Sequence, residues 1–234
     1  MEENDTRPER AVYHEQRAAR VIQNLQKRRM NGLYAATPAD AVDAVLALIP
    51  PGVLVARGDS LTLSQIGLID AIEARNANEL IDPFAVDKDG NWASPEDREK
   101  MQHDTFLADI FIAGTNAVTL DGKLVNVDGA GNRVAAMVYG PKKVIIVVGA
   151  NKIVENAEEA RQRIRDYAAP LNSQRHFLHH HQDEMGTLPC VQTGVCADCK
   201  HPWRICNYTV VIEGAMAFDE GRITVVIVGE ELGL

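Results

Sequence analysis

No apolar run in the 234-residue sequence approaches the roughly 20 residues that a membrane-spanning helix needs. The opening Met1-Glu2-Glu3-Asn4-Asp5 is acidic and has no apolar signal core, so a cytoplasmic protein is expected. Positive charge is scarce: 24 Lys and Arg stand against 33 Asp and Glu, a formal net charge of −9. Such a chain has no electrostatic reason to hold a phosphate backbone, and nucleic-acid binding is not expected. The basic residues of 17–29 are interleaved with acids and apolar residues, as on a solvated helix face. The sequence has no G-x-S-x-G, no Walker loop, no Rossmann G-x-G-x-x-G and no internal repeat. Cysteine is absent before Cys190. In a reducing compartment that argues against structural disulfides and towards metal or redox use of the four that follow.

What is present follows α/β grammar. Residues 8–30 have the spacing of an amphipathic helix, with Ala18, Ile22 and Leu25 on one stripe. Thr37-Pro38 opens a second helix with Ala41, Val45 and Leu48 at helical spacing. A short strand over 53–56, the turn Arg57-Gly58-Asp59-Ser60 and a helix bearing Ile66, Ile69 and Ile72 come next. Ser94-Pro95-Glu96-Asp97 starts another helix, and 109–112 is a strand. Asp121-Gly122 between 116–120 and 123–127 signals a hairpin. A short helix is expected over 133–139. The unbroken apolar run 144–148 suits a strand covered on both faces. A helix with Ala157, Ala160 and Ile164 follows, and strands over 208–212 and 223–228 close the chain. The pattern divides it into an N-terminal helical segment, 1–35, and an α/β domain, 36–234. Between these last elements, about 170–207 is an irregular insert. A connection that long needs something inorganic to organise it.

The insert holds Cys190, Cys196, Cys199 and Cys206, spaced C-x5-C-x2-C-x6-C. Four thiolates suffice for tetrahedral zinc or a four-iron cluster. Zinc sites usually draw on two tight pairs, and only one is present here. The spread outer cysteines suit a [4Fe–4S] cluster better, with zinc as the alternative. His176, His179, His180, His181 and His201 lie nearby. Most fit a solvated loop, while His201 could stand beside the metal.

Polar residues at strand ends and glycine turns mark a candidate small-anion cleft, made by Arg57, Gly58, Asp59, Ser60, Asn116, Asn132, Arg133 and Lys152. Competing structural readings are ordinary capping at Thr62-x-x-Gln65 and a surface position for Lys152. Asp59, Asp128 and His201 are candidate general bases by type and position.

Gly114-Thr115-Asn116-Ala117-Val118-Thr119, Asp121-Gly122, 128–133, Gly140-Pro141 and Gly149-Ala150-Asn151-Lys152-Ile153-Val154 resemble the lactate-utilisation (LUD) domain family. The cysteine stretch and the closing 221–233 are similar to its shorter, cysteine-bearing members. The resemblance implies an open, mostly parallel sheet with helices on both faces, like the NagB/RpiA/CoA-transferase group. It also implies an association with iron–sulfur proteins that oxidise lactate to pyruvate. No glutamate stands in a matching motif for coenzyme A transfer. The partners expected are a small anionic metabolite and an iron–sulfur redox protein, and a homo-oligomer is compatible with the sequence. The competing functions are a metabolite-sensing module and a transferase or isomerase on a phosphorylated or acyl substrate with a structural metal.

Overall fold

The computed structural model describes residues 5–179 and 182–234. His180, His181 and the first four residues lie outside the described residues. The strands are β1 Asn31–Ala35, β2 Leu54–Arg57, β3 Glu79–Ile81, β4 Ile110–Ala113, β5 Ala117–Thr119, β6 Leu124–Asp128, β7 Lys143–Gly149, β8 Ile153–Val154, β9 Tyr208–Ile212 and β10 Ile223–Val228. Six form one sheet in the order β1-β10-β7-β4-β2-β3, with every pair parallel. The expected open parallel sheet is therefore present. The other four form a smaller sheet, β8-β5-β6-β9, that includes the expected hairpin. The two closing strands thus belong to different sheets.

The run in β7 is buried because both faces of its sheet are covered. Val144, Ile146 and Val148 pack on one side with Ala18, Val21 and Leu25 of helix α1 (Arg7–Lys27) and with the smaller sheet. Ile145 and Val147 point the other way, towards Ala41 and Val45 of α2 (Pro38–Ala47), Leu63 of α3 (Leu61–Gln65) and Ile72 of α4 (Leu68–Arg75). Each buried valine, leucine or isoleucine among these contributes about 1.5–3 kcal/mol by leaving water. The segment 1–35 is not helical throughout, because its last five residues are the edge strand β1. Helix α1 lies on the domain: Arg17 Nη2 donates to the Ile153 carbonyl at 2.9 Å, and Asn24 Nδ2 to that of Leu120 at 2.8 Å.

Caps set several boundaries. Thr37 and Asp40 form a reciprocal capping box on α2. The Ser94 side chain accepts from Asp97 N at the start of α5 (Pro95–Asp104). The capping box that Thr62 and Gln65 could have made is not formed. Ser60 caps α3 instead, accepting from Leu63 N, while Gln65 Oε1 accepts from Gly233 N at 2.6 Å. The helix expected to carry Ile66 through Ile72 is broken at Gly67, whose φ of +69° is left-handed.

The insert begins later than its composition implies. Helix α7 (Ala157–Arg163) continues through a π-helical turn, Ile164–Ala168, into α8 (Ala169–His179). Ala169 N bonds back five residues to Ile164 O, and Pro170 supplies no N–H to the ladder. A widened turn accommodates the proline, so 170–179 is helical rather than irregular. A 3₁₀ turn over Asp183–Thr187 and the short α9 (Pro189–Thr193) follow.

Chains leave the C-terminal ends of β2 and β4 towards opposite faces. After β2 the chain enters α3, packed on the α2–α4 side. After β4 it enters the hairpin and α6 (Asn132–Val138), packed on the α1 side. In an open parallel sheet such a divergence leaves a crevice at the strand ends, where ligands bind.

Candidate functional site

The turns after β2 and β4 lie almost in contact. A Cβ on Gly114 would sit 2.6 Å from Ser60 Oγ, and one on Gly58 would sit 3.1 Å from the Phe111 ring. Glycine allows both strand ends to close on one another. They border a cavity of about 340 Å³. Arg57, Gly58, Asp59, Ser60, Asn116, Asn132, Arg133 and Lys152 all line it. The eight cleft residues singled out from sequence are thus brought together by four different strand ends.

Their hydrogen bonds divide them by task. Arg133 directs Nη1 to Gly114 O at 3.0 Å and Asn126 Oδ1 at 2.9 Å. Its Nη2 bonds Asn116 Oδ1 at 3.2 Å and Val127 O at 2.8 Å, and its Nε pairs with Asp128 at 3.3 Å. All five guanidinium donors are engaged. Asn116 Oδ1 also accepts from Val127 N at 2.9 Å, and Asp128 Oδ1 from Gly131 N at 3.0 Å. Arg133, Asn116 and Asp128 therefore fasten the hairpin to the end of β4, and Arg133 has no donor left for a ligand. Asp128 is held as a turn and ion-pair acceptor rather than as a base. Burial lowers the Arg133 pKa, opposed by Asp128 and Asp59.

The other cleft cations differ in pairing. Arg57 Nε meets Asp82 Oδ1 at 2.7 Å and its guanidinium lies 5.2 Å from the Phe84 ring centre. Arg175 meets Asp59 at 2.6 Å. Lys152 is 5% exposed, so it is not a surface lysine. Its Nζ donates to Thr62 Oγ1 at 3.2 Å, and among the described residues no carboxylate pairs with it. Burial first, then Arg163 and Arg133, bring its pKa down to about 7.

Several lining residues carry no local sequence signal. Arg175 and His176 come from α8, read from sequence as the start of an irregular stretch. Pro83, Phe84, Gln102 and Thr105 form a wall from the β3–β4 connection. His201 lines neither this cavity nor the cysteine site; it meets Thr187 Oγ1 at 3.1 Å and accepts from Trp203 N.

The four cysteines are free, half-buried thiols lining a second, small cavity of about 20 Å³. Cys190 lies in the first turn of α9. Asp198, between Cys196 and Cys199, has φ +49°, and this left-handed residue turns the chain sharply between the tight pair. Arg204 braces the loop, donating to the carbonyls of Cys199 and Cys206. Burial raises the Cys206 thiol pKa; Arg204 opposes this, and Cys199 and Cys196 add to it. Among the described residues, no three His, Cys, Asp or Glu side chains converge as a single metal ion requires. The four thiols nevertheless border one common cavity.

The two cavities adjoin. Ile205 lines both, and the stretch through the π turn and α8 places Ala168 and Asn172 on the cleft side and Ala169 and Ser173 on the cysteine side.

Together these features define an α/β protein with a polar cleft at the strand ends of a parallel sheet and four cysteines around a small cavity beside it. The LUD domain profile matches residues 18–228, and the chain belongs to that family. Among solved structures it is similar to a DUF162 family protein from Deinococcus radiodurans, with 13% identity, TM-score 0.47 and coverage of 93% of this chain and 97% of that one. It is also similar to translation initiation factor eIF-2B from Pyrococcus horikoshii OT3, with 15% identity, TM-score 0.37 and coverage of 52% and 50%. Ribose 5-phosphate isomerase from Plasmodium falciparum gives 13% identity, TM-score 0.31 and coverage of 56% and 65%. No curated protein matches the sequence. Among the described residues, no helix is long and apolar enough to cross a membrane.

Proposed function

We propose that this LUD-family chain is an iron–sulfur protein serving oxidation of lactate or a similar small hydroxy acid. Cys190, Cys196, Cys199 and Cys206 hold a [4Fe–4S] cluster, and the cleft around Ser60 and Lys152 holds the small anion. The observation that carries the reading is the shared wall at Ile205, which sets the thiol cavity beside the cleft. A bound cluster supplies one-electron chemistry. The chain's own residues supply the rest: Arg133 fixes the hairpin, Ser60 and Gly114 shape the floor, and Lys152 provides a buried amino group without a carboxylate partner. An iron–sulfur protein is the redox partner this reading calls for, with this chain working in the cytoplasm.

The test is iron and acid-labile sulfide content, with visible and EPR spectra, on protein purified without air. About four iron and four sulfide per chain, with a band bleached by dithionite, is the expected result. Replacing any one cysteine by serine should lower the iron content. One zinc and no sulfide from iron-rich, anaerobic preparation would refute the cluster.

A further inference from the structure

Lys152 is the cleft cation whose charge the protein leaves least compensated. Arg57, Arg133 and Arg175 each face an aspartate. Lys152 has Thr62 Oγ1 at 3.2 Å, and Arg163 and Arg133 repel its charge. The backbone closes over it: a Cβ on Gly233 would lie 2.6 Å from Nζ. Yet the side chain still borders the cavity. Burying an ammonium without a counter-ion is costly, and the group relieves that cost by releasing its proton. At a pKa of about 7 much of it is a free amine at neutral pH. A desolvated lysine beside other cations is an activated nucleophile towards carbonyl groups.

We infer that Lys152 Nζ forms an imine with the carbonyl carbon of a small 2-oxo acid held in this cleft. The nitrogen lone pair forms the new C–N bond. The carbonyl oxygen departs as water, carrying the two hydrogens that the amine gives up. No oxidant or reductant is consumed. The Thr62 hydroxyl orients Nζ and is a positioning residue. The inference takes the size and charge of the ligand from the proposed function and owes nothing to the cluster.

Reductive trapping tests it. The full chain is incubated at pH 7.5 with pyruvate and sodium cyanoborohydride, then digested and mapped by tandem mass spectrometry. A carboxyethyl group on Lys152 is expected, its yield saturating with pyruvate. It should form on the order of tenfold or more faster than on the exposed Lys88 and Lys142, which lie outside the cleft. Lys152→Arg should abolish the label while retaining the circular dichroism spectrum. Because mapping on the unaltered chain needs no variant, a misfolded K152R leaves the test intact. Labelling confined to exposed lysines, or saturable pyruvate binding with no adduct on Lys152, would overturn the inference. Iron and sulfide analysis is independent, so loss of either conclusion can be told from loss of the other.

Discussion

Asp59 and Arg175, 116 residues apart in sequence, meet at 2.6 Å across the mouth of the cleft. The contact ties the turn after β2 to the helix that leads into the cysteine loop. It is part-exposed, so its direct contribution to stability is modest, about 1 kcal/mol or less. Arg175→Met should therefore lower the melting temperature only slightly. It should weaken anion binding by more than that, because it leaves Asp59 unpaired where the ligand's charge must sit. Isothermal titration with pyruvate or lactate would read this, and unchanged affinity would count against Asp59 lying at the ligand site.

Arg133 is expected to behave as a scaffold. Breaking a buried ion pair by removing one partner typically costs about 3–5 kcal/mol, and the freed carbonyls and amides add to it. Arg133→Met should lose stability on that scale in urea titration. Arg133→Lys should recover little, since an ammonium cannot span Gly114, Asn116, Asn126 and Val127 together. Retention of full stability in R133M would show that the hairpin is fastened elsewhere.

Gly114→Ala probes the floor of the cleft. The new methyl would displace Ser60 Oγ from its cap on Leu63 N. Loss of an N-cap costs about 1 kcal/mol, so a comparable fall in stability is expected, together with weaker anion binding. Ser60→Ala should show the stability loss with less steric obstruction. If G114A and wild type bind pyruvate alike, Ser60 does not contact the ligand.

The depressed pKa of Lys152 gives a pH dependence of defined sign. Its folded value of about 7 lies below the ordinary 10.5, so between these values the unfolded chain binds more protons than the folded one. Stability from this group rises as pH rises from 7 towards 10.5, and below pH 7 the full penalty applies. That penalty is at most roughly 5 kcal/mol. Lys152→Met removes it and should be more stable than the parent at pH 6, with the difference shrinking towards pH 10. Urea midpoints across that range would check it. A difference independent of pH would mean that Lys152 titrates normally.

The parallel sheet was legible because buried strands such as β7 must be apolar throughout, and because Asp121-Gly122 admits little but a tight turn. The eight cleft residues were legible for a similar reason: polar groups beside glycine at strand ends have few structural duties. What the sequence hides is which of them are used up. Arg133 reads as an anion receptor until its five donors are counted in three dimensions. Lys152 looks like a surface residue because nothing local shows that Arg163, Thr62 and Gly233 enclose it. Arg175 was missed since Pro170 resembles a helix stop, whereas a π turn carries the helix past it.

That π turn has a further consequence. One additional residue in a helical turn shifts the angular phase of everything beyond it by about 100°. The wide turn at Ile164–Ala168 therefore works as an aiming device: it rotates α8 so that Asn172 and Arg175 look into the cleft while Ser173 looks towards the thiols. Deleting a single residue there would leave every side chain of α8 in the protein but turn Asn172, Ser173 and Arg175 away from the cavities they now line.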